Sequence, residues 1–120
     1  MSKTDPTYIP DEGDLIWTDF DPRVGRKQSG RRPAVVLSAA AFFGASRFAI
    51  VCPITRTVRA FGSSVLLPNG LPVTGEILTS HVRGIDTTSR PIRFAGARLP
   101  DAILREVRAK LATLCGIRPD

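Results

Sequence analysis

Arg23-Val24-Gly25-Arg26-Lys27-Gln28-Ser29-Gly30-Arg31-Arg32-Pro33-Ala34-Val35-Val36-Leu37-Ser38 is a basic loop that runs directly into an apolar strand. Five cations fall between Arg23 and Arg32 with no acid among them, while Gly25, Ser29 and Gly30 leave the backbone free to follow a ligand. Pro33 biases Arg32 towards an extended conformation. Arg32 is therefore expected at the mouth of a rigid strand, with Arg26 and Lys27 on the mobile loop before it. Ala34, Val35, Val36 and Leu37 are consecutive and apolar, the pattern of a strand buried on both faces.

Short segments of the same kind lie on both sides of this stretch. After a loose lead-in over residues 1–10, the fold is expected to begin at Gly13, with Leu15, Ile16, Trp17 and Phe20 in a strand that stops at Asp21-Pro22. Ala39 to Ala45 reads as a single helical turn, and Arg47 to Pro53 as a strand halting at Pro53-Ile54-Thr55. Ser64 to Leu67 is closed by the turn signal Pro68-Asn69-Gly70. Glu76 to Ser80, His81 to Ile85 and Arg90 to Phe94 are further β-prone pieces. Many short strands separated by glycine and proline turns predict a mainly β chain, a small barrel or strongly curled sheet.

The one convincing helix spans residues 100–115. Pro100 suits its first position and Asp101 complements the positive end of its dipole. Ile103, Leu104, Val107, Leu111 and Leu114 share one face, which is expected to pack on the sheet, and Gly116 provides the C-terminal cap.

With 120 residues the chain is expected to form one domain with one modest core. No apolar run reaches the roughly 20 residues a bilayer span needs, and the N-terminus lacks a signal-peptide core, so a cytoplasmic location without membrane attachment is expected. Cys52 and Cys115 read as small core residues. One histidine and two distant cysteines give no zinc spacing, so neither a metal nor another cofactor is expected. Six of the eleven acids precede Arg23, which leaves the rest of a chain of net charge +6 strongly basic. Such a field attracts phosphates, and nucleic acid is the first partner to consider. Trp17 lies within an apolar run and reads as core. Phe42, Phe43 and Phe61 are candidates for an apolar contact surface.

The order of motifs resembles the MazF/PemK (Kid) toxins of bacterial type II toxin–antitoxin systems. The matching residues are Pro10-Asp11, Gly13-Asp14-Leu15-Ile16-Trp17, Asp19-Phe20-Asp21-Pro22, Gly25, Gln28, Gly30, Arg32 to Ser38, Pro53-Ile54-Thr55 and Val82-Arg83. Gly13 to Ser38 is the most specific block. The resemblance implies an SH3-like barrel of the PemK/CcdB type with short helical insertions and a C-terminal helix. It also implies a homodimer that cleaves single-stranded RNA, mRNA included, without a metal. In that chemistry the ribose 2′-hydroxyl attacks the adjacent phosphate and leaves a 2′,3′-cyclic phosphate and a 5′-hydroxyl. Arg32 matches the family's catalytic arginine and Thr55 its catalytic threonine. A cognate antitoxin with an acidic, largely disordered segment is the implied protein partner.

The residue types suit that chemistry. A pentavalent phosphorus transition state accumulates negative oxygen charge, to which a guanidinium offers paired donors and a threonine hydroxyl a further hydrogen bond. Arg26, Lys27, Gln28, Ser29, His81 and Arg83 are the candidate RNA contacts, to phosphates or base edges. The chain departs from the family at three places: His81 where glutamine is common, Ser80 where an aspartate is expected, and Lys27 where some members carry a glutamate. Two rivals stay open at this point. A CcdB-like gyrase-binding toxin shares the fold without catalysis, and a non-catalytic RNA-binding barrel would keep the groove alone. Arg32-Pro33 and the lack of a tryptophan before Gly116 favour the nuclease.

Overall fold

A computed structural model describes residues 7–19 and 31–118 of the chain. In chain order the elements are β1 (Asp14–Thr18), β2 (Arg32–Val36), α1 (Ala40–Ser46), β3 (Phe48–Thr55), β4 (Ser64–Leu66), β5 (Glu76–Leu78), a 3₁₀ turn (Thr79–His81), β6 (Arg83–Asp86), β7 (Arg93–Arg98) and α2 (Asp101–Cys115). The strands pair antiparallel in one seven-stranded sheet ordered β4-β5-β3-β2-β1-β7, with β6 paired to β3 off that path. The chain is mainly β with a C-terminal helix, as the turn spacing predicts.

β2 lies between β1 and β3, with Val35 opposite Leu15 on one side and Cys52 on the other. Its Ala34, Val35 and Val36 are wholly buried, as expected for an uninterrupted apolar run with both faces covered. Alternation divides the core in two. Leu15, Val35, Cys52, Ile54, Val65, Ile77 and Leu99 form one cluster, completed by Leu104 and Val107 of α2. Ile16, Ala34, Val36, Ala49, Val51, Ile85 and Ile92 form the other, against which Tyr8 packs.

β3 corrects the expectation that Pro53 ends the strand, because the strand continues to Thr55. The Ile50 carbonyl accepts the Leu37 N–H at 2.8 Å, so the even-numbered residues of β3 direct their backbone groups towards β2 and the odd-numbered ones towards the opposite edge. On that edge β6 pairs only as far as Val51 and β5 begins at Ile54. Pro53 falls in the gap, where a missing N–H leaves no ladder partner unsatisfied.

Other differences are local. The predicted strand at His81 begins instead at Arg83, after the 3₁₀ turn. Pro100 is the N-cap of α2, and its carbonyl accepts the N–H groups of Ile103 and Leu104. Gly116 caps the far end at φ 72°, as expected. Leu114 is 50% exposed, however, and Cys115 is exposed with it, so the buried face of α2 is shorter than its apolar stripe. Phe43 is buried beneath the Arg47 guanidinium rather than at the surface, while Phe42 and Phe61 are exposed.

The start of β1 is tied down by charge. Tyr8 donates its hydroxyl hydrogen to Asp14 at 2.6 Å, the Asp11 N–H reaches the same carboxylate oxygen at 3.0 Å, and the Arg98 Nε lies 3.6 Å from the other oxygen. Burial, followed by the Asp14 hydrogen bond and charge, holds the Tyr8 phenol protonated far above the usual tyrosine range. Glu12 pairs with Arg108 and so ties this corner to α2.

Candidate active site

Several strand ends meet at the opposite end of β1. β2 starts there with Arg32 paired to Thr18 and Pro33 to Trp17. β3 ends there with Thr55 opposite Glu76 of β5. β6 starts there with Arg83 opposite Val51. Together with the 3₁₀ turn they enclose an open cleft of about 760 Å³. Arg32, Thr55, His81 and Arg83, all singled out from the sequence, line it together. The other four candidates, Arg26, Lys27, Gln28 and Ser29, lie outside the described residues.

The cleft also contains residues that sequence reasoning missed. Arg31, Arg56 and Thr57 line it, and so does Trp17, which packs on the core with one part of its half-buried ring. Arg56 and Thr57 directly follow the Pro53-Ile54-Thr55 motif, and that adjacency was the available signal. Among the described residues, the lining side chains include four arginines and one histidine but no aspartate or glutamate. The field inside is therefore uniformly favourable to anions.

Backbone devices fix Thr55 and the loop after it. Gly75 has φ +123°, and a Cβ there would lie 1.9 Å from the Thr55 carbonyl oxygen, so only glycine lets β5 approach so closely. The next residue, Glu76, is 2% exposed. Its two oxygens accept the N–H groups of Arg59 at 2.9 Å and Ala60 at 3.2 Å, which accounts for a buried carboxylate and anchors the loop that begins with Arg56. Ala60 adopts φ 57° at this anchor. The Thr55 hydroxyl oxygen accepts the Thr57 N–H at 3.1 Å, leaving its hydrogen to be donated into the cleft.

His81 ends the 3₁₀ turn and is exposed. The turn is seated by Thr79, which is wholly buried and donates its hydroxyl hydrogen to the Ser63 carbonyl. Among the described residues no three histidine, cysteine or acidic side chains gather as a metal site, and no helix is long and apolar enough to cross a membrane.

A positively charged cleft with arginine and threonine donors on rigid strand ends suits a phosphodiester undergoing displacement. Comparison with known proteins agrees in both sequence and fold. The PemK-like, MazF-like toxins of type II toxin–antitoxin systems match residues 11–115. The chain is 36% identical over 109 residues to the endoribonuclease toxin MazF of Escherichia coli strain K12, covering 91% of this chain and 96% of that one. It is 32% identical to the endoribonuclease PemK of Escherichia coli, covering 87% and 80%. Among solved structures, MazF of Deinococcus radiodurans superposes with a TM-score of 0.81 at 42% identity, covering 91% of this chain and 98% of that one. A MazE–MazF structure from the same organism gives 0.84 at 40% identity, covering 92% and 100%. The chain belongs to the PemK-like, MazF-like toxin family of type II toxin–antitoxin systems.

Proposed function

We infer that this cleft is the active site of an endoribonuclease toxin that cleaves single-stranded RNA, mRNA included, by attack of a ribose 2′-hydroxyl on the adjacent phosphate. The observation that carries the reading is the convergence of Arg32, Thr55, His81 and Arg83 on one arginine-lined cleft in a chain of this family. Arg32 stabilises the charge that builds on the phosphoryl oxygens, and Thr55 donates to the same group. Arg83 and the loop residues Arg26, Lys27, Gln28 and Ser29 hold the RNA, and Trp17 offers a face on which a base can stack. None of these roles calls on a metal.

A cognate antitoxin is the expected inhibitor, since related MazF chains have been solved in complex with MazE. An acidic segment laid in the cleft would meet its arginines. Two copies are proposed to pair, with the exposed apolar side chains Phe42, Phe48 and Ile50 available to the contact. The cytoplasm, where mRNA is found, is the proposed place of action.

The test is incubation of the purified protein with a long single-stranded RNA in EDTA, repeated with Arg32→Ala and Thr55→Ala. The wild type should leave 2′,3′-cyclic phosphate ends, and Arg32→Ala should lose about 100- to 1,000-fold in rate. Absence of cleavage by the wild type under any condition refutes the activity. Full activity in Arg32→Ala refutes the assignment of the cleft.

A further inference from the structure

Transesterification at phosphorus needs a group that accepts the proton of the attacking 2′-hydroxyl, and the arginine and threonine of the cleft do not supply one. Guanidinium groups are protonated at any working pH, and hydroxyls donate hydrogen bonds without taking up a proton. Carboxylates, the usual alternative, are absent from the cleft lining among the described residues. They are also absent from the whole sequence between Pro22 and Gly75, which includes the basic loop. The next acid in the chain, Glu76, is buried with both oxygens committed to backbone N–H groups. The single tyrosine is bound to Asp14 at the other end of β1. Among the described residues that line the cleft, the one remaining proton acceptor is the single histidine of the chain, which stands there with Arg32 and Thr55.

We propose that His81 is the general base of this cleft, its neutral imidazole taking the proton from the ribose 2′-hydroxyl as that oxygen attacks phosphorus. The O2′–P bond forms while the P–O5′ bond breaks. The departing 5′-oxygen takes a proton from water, and the imidazolium later returns its own to solvent, so the step needs no further reactant. The proposal rests on the cleft being the active site, and it replaces a role in RNA contact with one in proton transfer.

The surroundings of the imidazole are defined. Arg31, Arg32, Arg56 and Arg83 line the same cleft. The 3₁₀ turn packs against β3, β4 and α2. β3 contributes only the buried Cys52 as an ionisable group, and β4 contributes none. α2 carries Asp101, Arg105, Glu106, Arg108, Lys110 and Cys115, of which Lys110 is held on the Ser64 carbonyl at 2.7 Å and lies 3.4 Å from Glu106.

The experiment is single-turnover cleavage of a long RNA of mixed sequence in EDTA from pH 5 to pH 9. The proteins are the wild type, Arg32→Ala, His81→Gln and His81→Ala, each checked by thermal melting. The saturating rate of the wild type should fall on the acid side as the base becomes protonated. His81→Gln keeps a polar side chain that can contact RNA. It should lose about 100-fold or more in saturating rate, with its half-saturating concentration little changed and the acid-side fall abolished. Added imidazole should restore part of the activity of His81→Ala. If His81→Gln keeps the wild-type rate, or loses only affinity while the pH profile stands, the proposal is overturned. Full activity in Arg32→Ala overturns the cleft assignment itself, so the two failures are separable.

Discussion

The two ends of β1 use charge in opposite ways. At the Asp14 end acids and cations are set against one another: Asp14 against Arg98 and the Tyr8 hydroxyl, Glu12 against Arg108. At the Trp17 end cations line a cleft whose described lining holds no carboxylate. One five-residue strand, β1, joins a corner of paired charges to a cleft lined by arginines. The first arrangement ties the start of β1 to β7 and α2, and the second presents positive charge at an open cleft.

Equivalent substitutions at the two ends should therefore break different properties. The largest contrast is between Arg32→Ala, with its loss of about 100- to 1,000-fold in cleavage, and Arg98→Ala, which should leave the cleavage rate unchanged. Assaying both on one RNA checks this, and equal losses would show that the two ends are not independent. Asp14→Ala should come next. It strips the acceptor from Tyr8 and Asp11 in a buried setting, at a cost of about 1–3 kcal/mol by urea denaturation, while the folded fraction cleaves normally.

Alkali tests the core between the two ends. Burial pushes the Cys52 thiol up to about 12, and the Tyr8 phenol is raised as well. Both groups hold a proton in the folded state that the unfolded chain gives up, so stability should decline as pH climbs from about 9. Cys52→Ala should flatten that decline between pH 9 and 12, as read from melting temperatures. The smallest effect belongs to Arg108→Ala. Its pair with Glu12 is solvent-exposed on both sides, so a change of about 0–1 kcal/mol is expected.

Much of the cleft could be read from the sequence because its main residues sit beside prolines and glycines. Arg32 precedes Pro33, which restricts its backbone whatever the tertiary context, and Thr55 closes the short run Pro53-Ile54-Thr55. Trp17 was harder, because an indole can pack on the core with one part and line a cleft with another. Arg56 and Thr57 owe their place to Glu76, whose hold on the loop is non-local. The 3₁₀ turn before Arg83 was likewise hidden, since its seating depends on Thr79 reaching Ser63. Leu114 and Cys115 continue an apolar stripe beyond the surface that could bury them, and no helical periodicity reveals where that surface ends.

Gly75 carries a consequence for genetics. A chain that poisons its host is filtered when expressed without its antidote, and the colonies that survive carry broken copies. Any single-base change in the first two positions of a glycine codon installs a side chain or a stop. No side chain fits against the Thr55 carbonyl. Escape mutations should therefore accumulate at this codon beside those at Arg32, although Gly75 itself presents no chemistry to RNA.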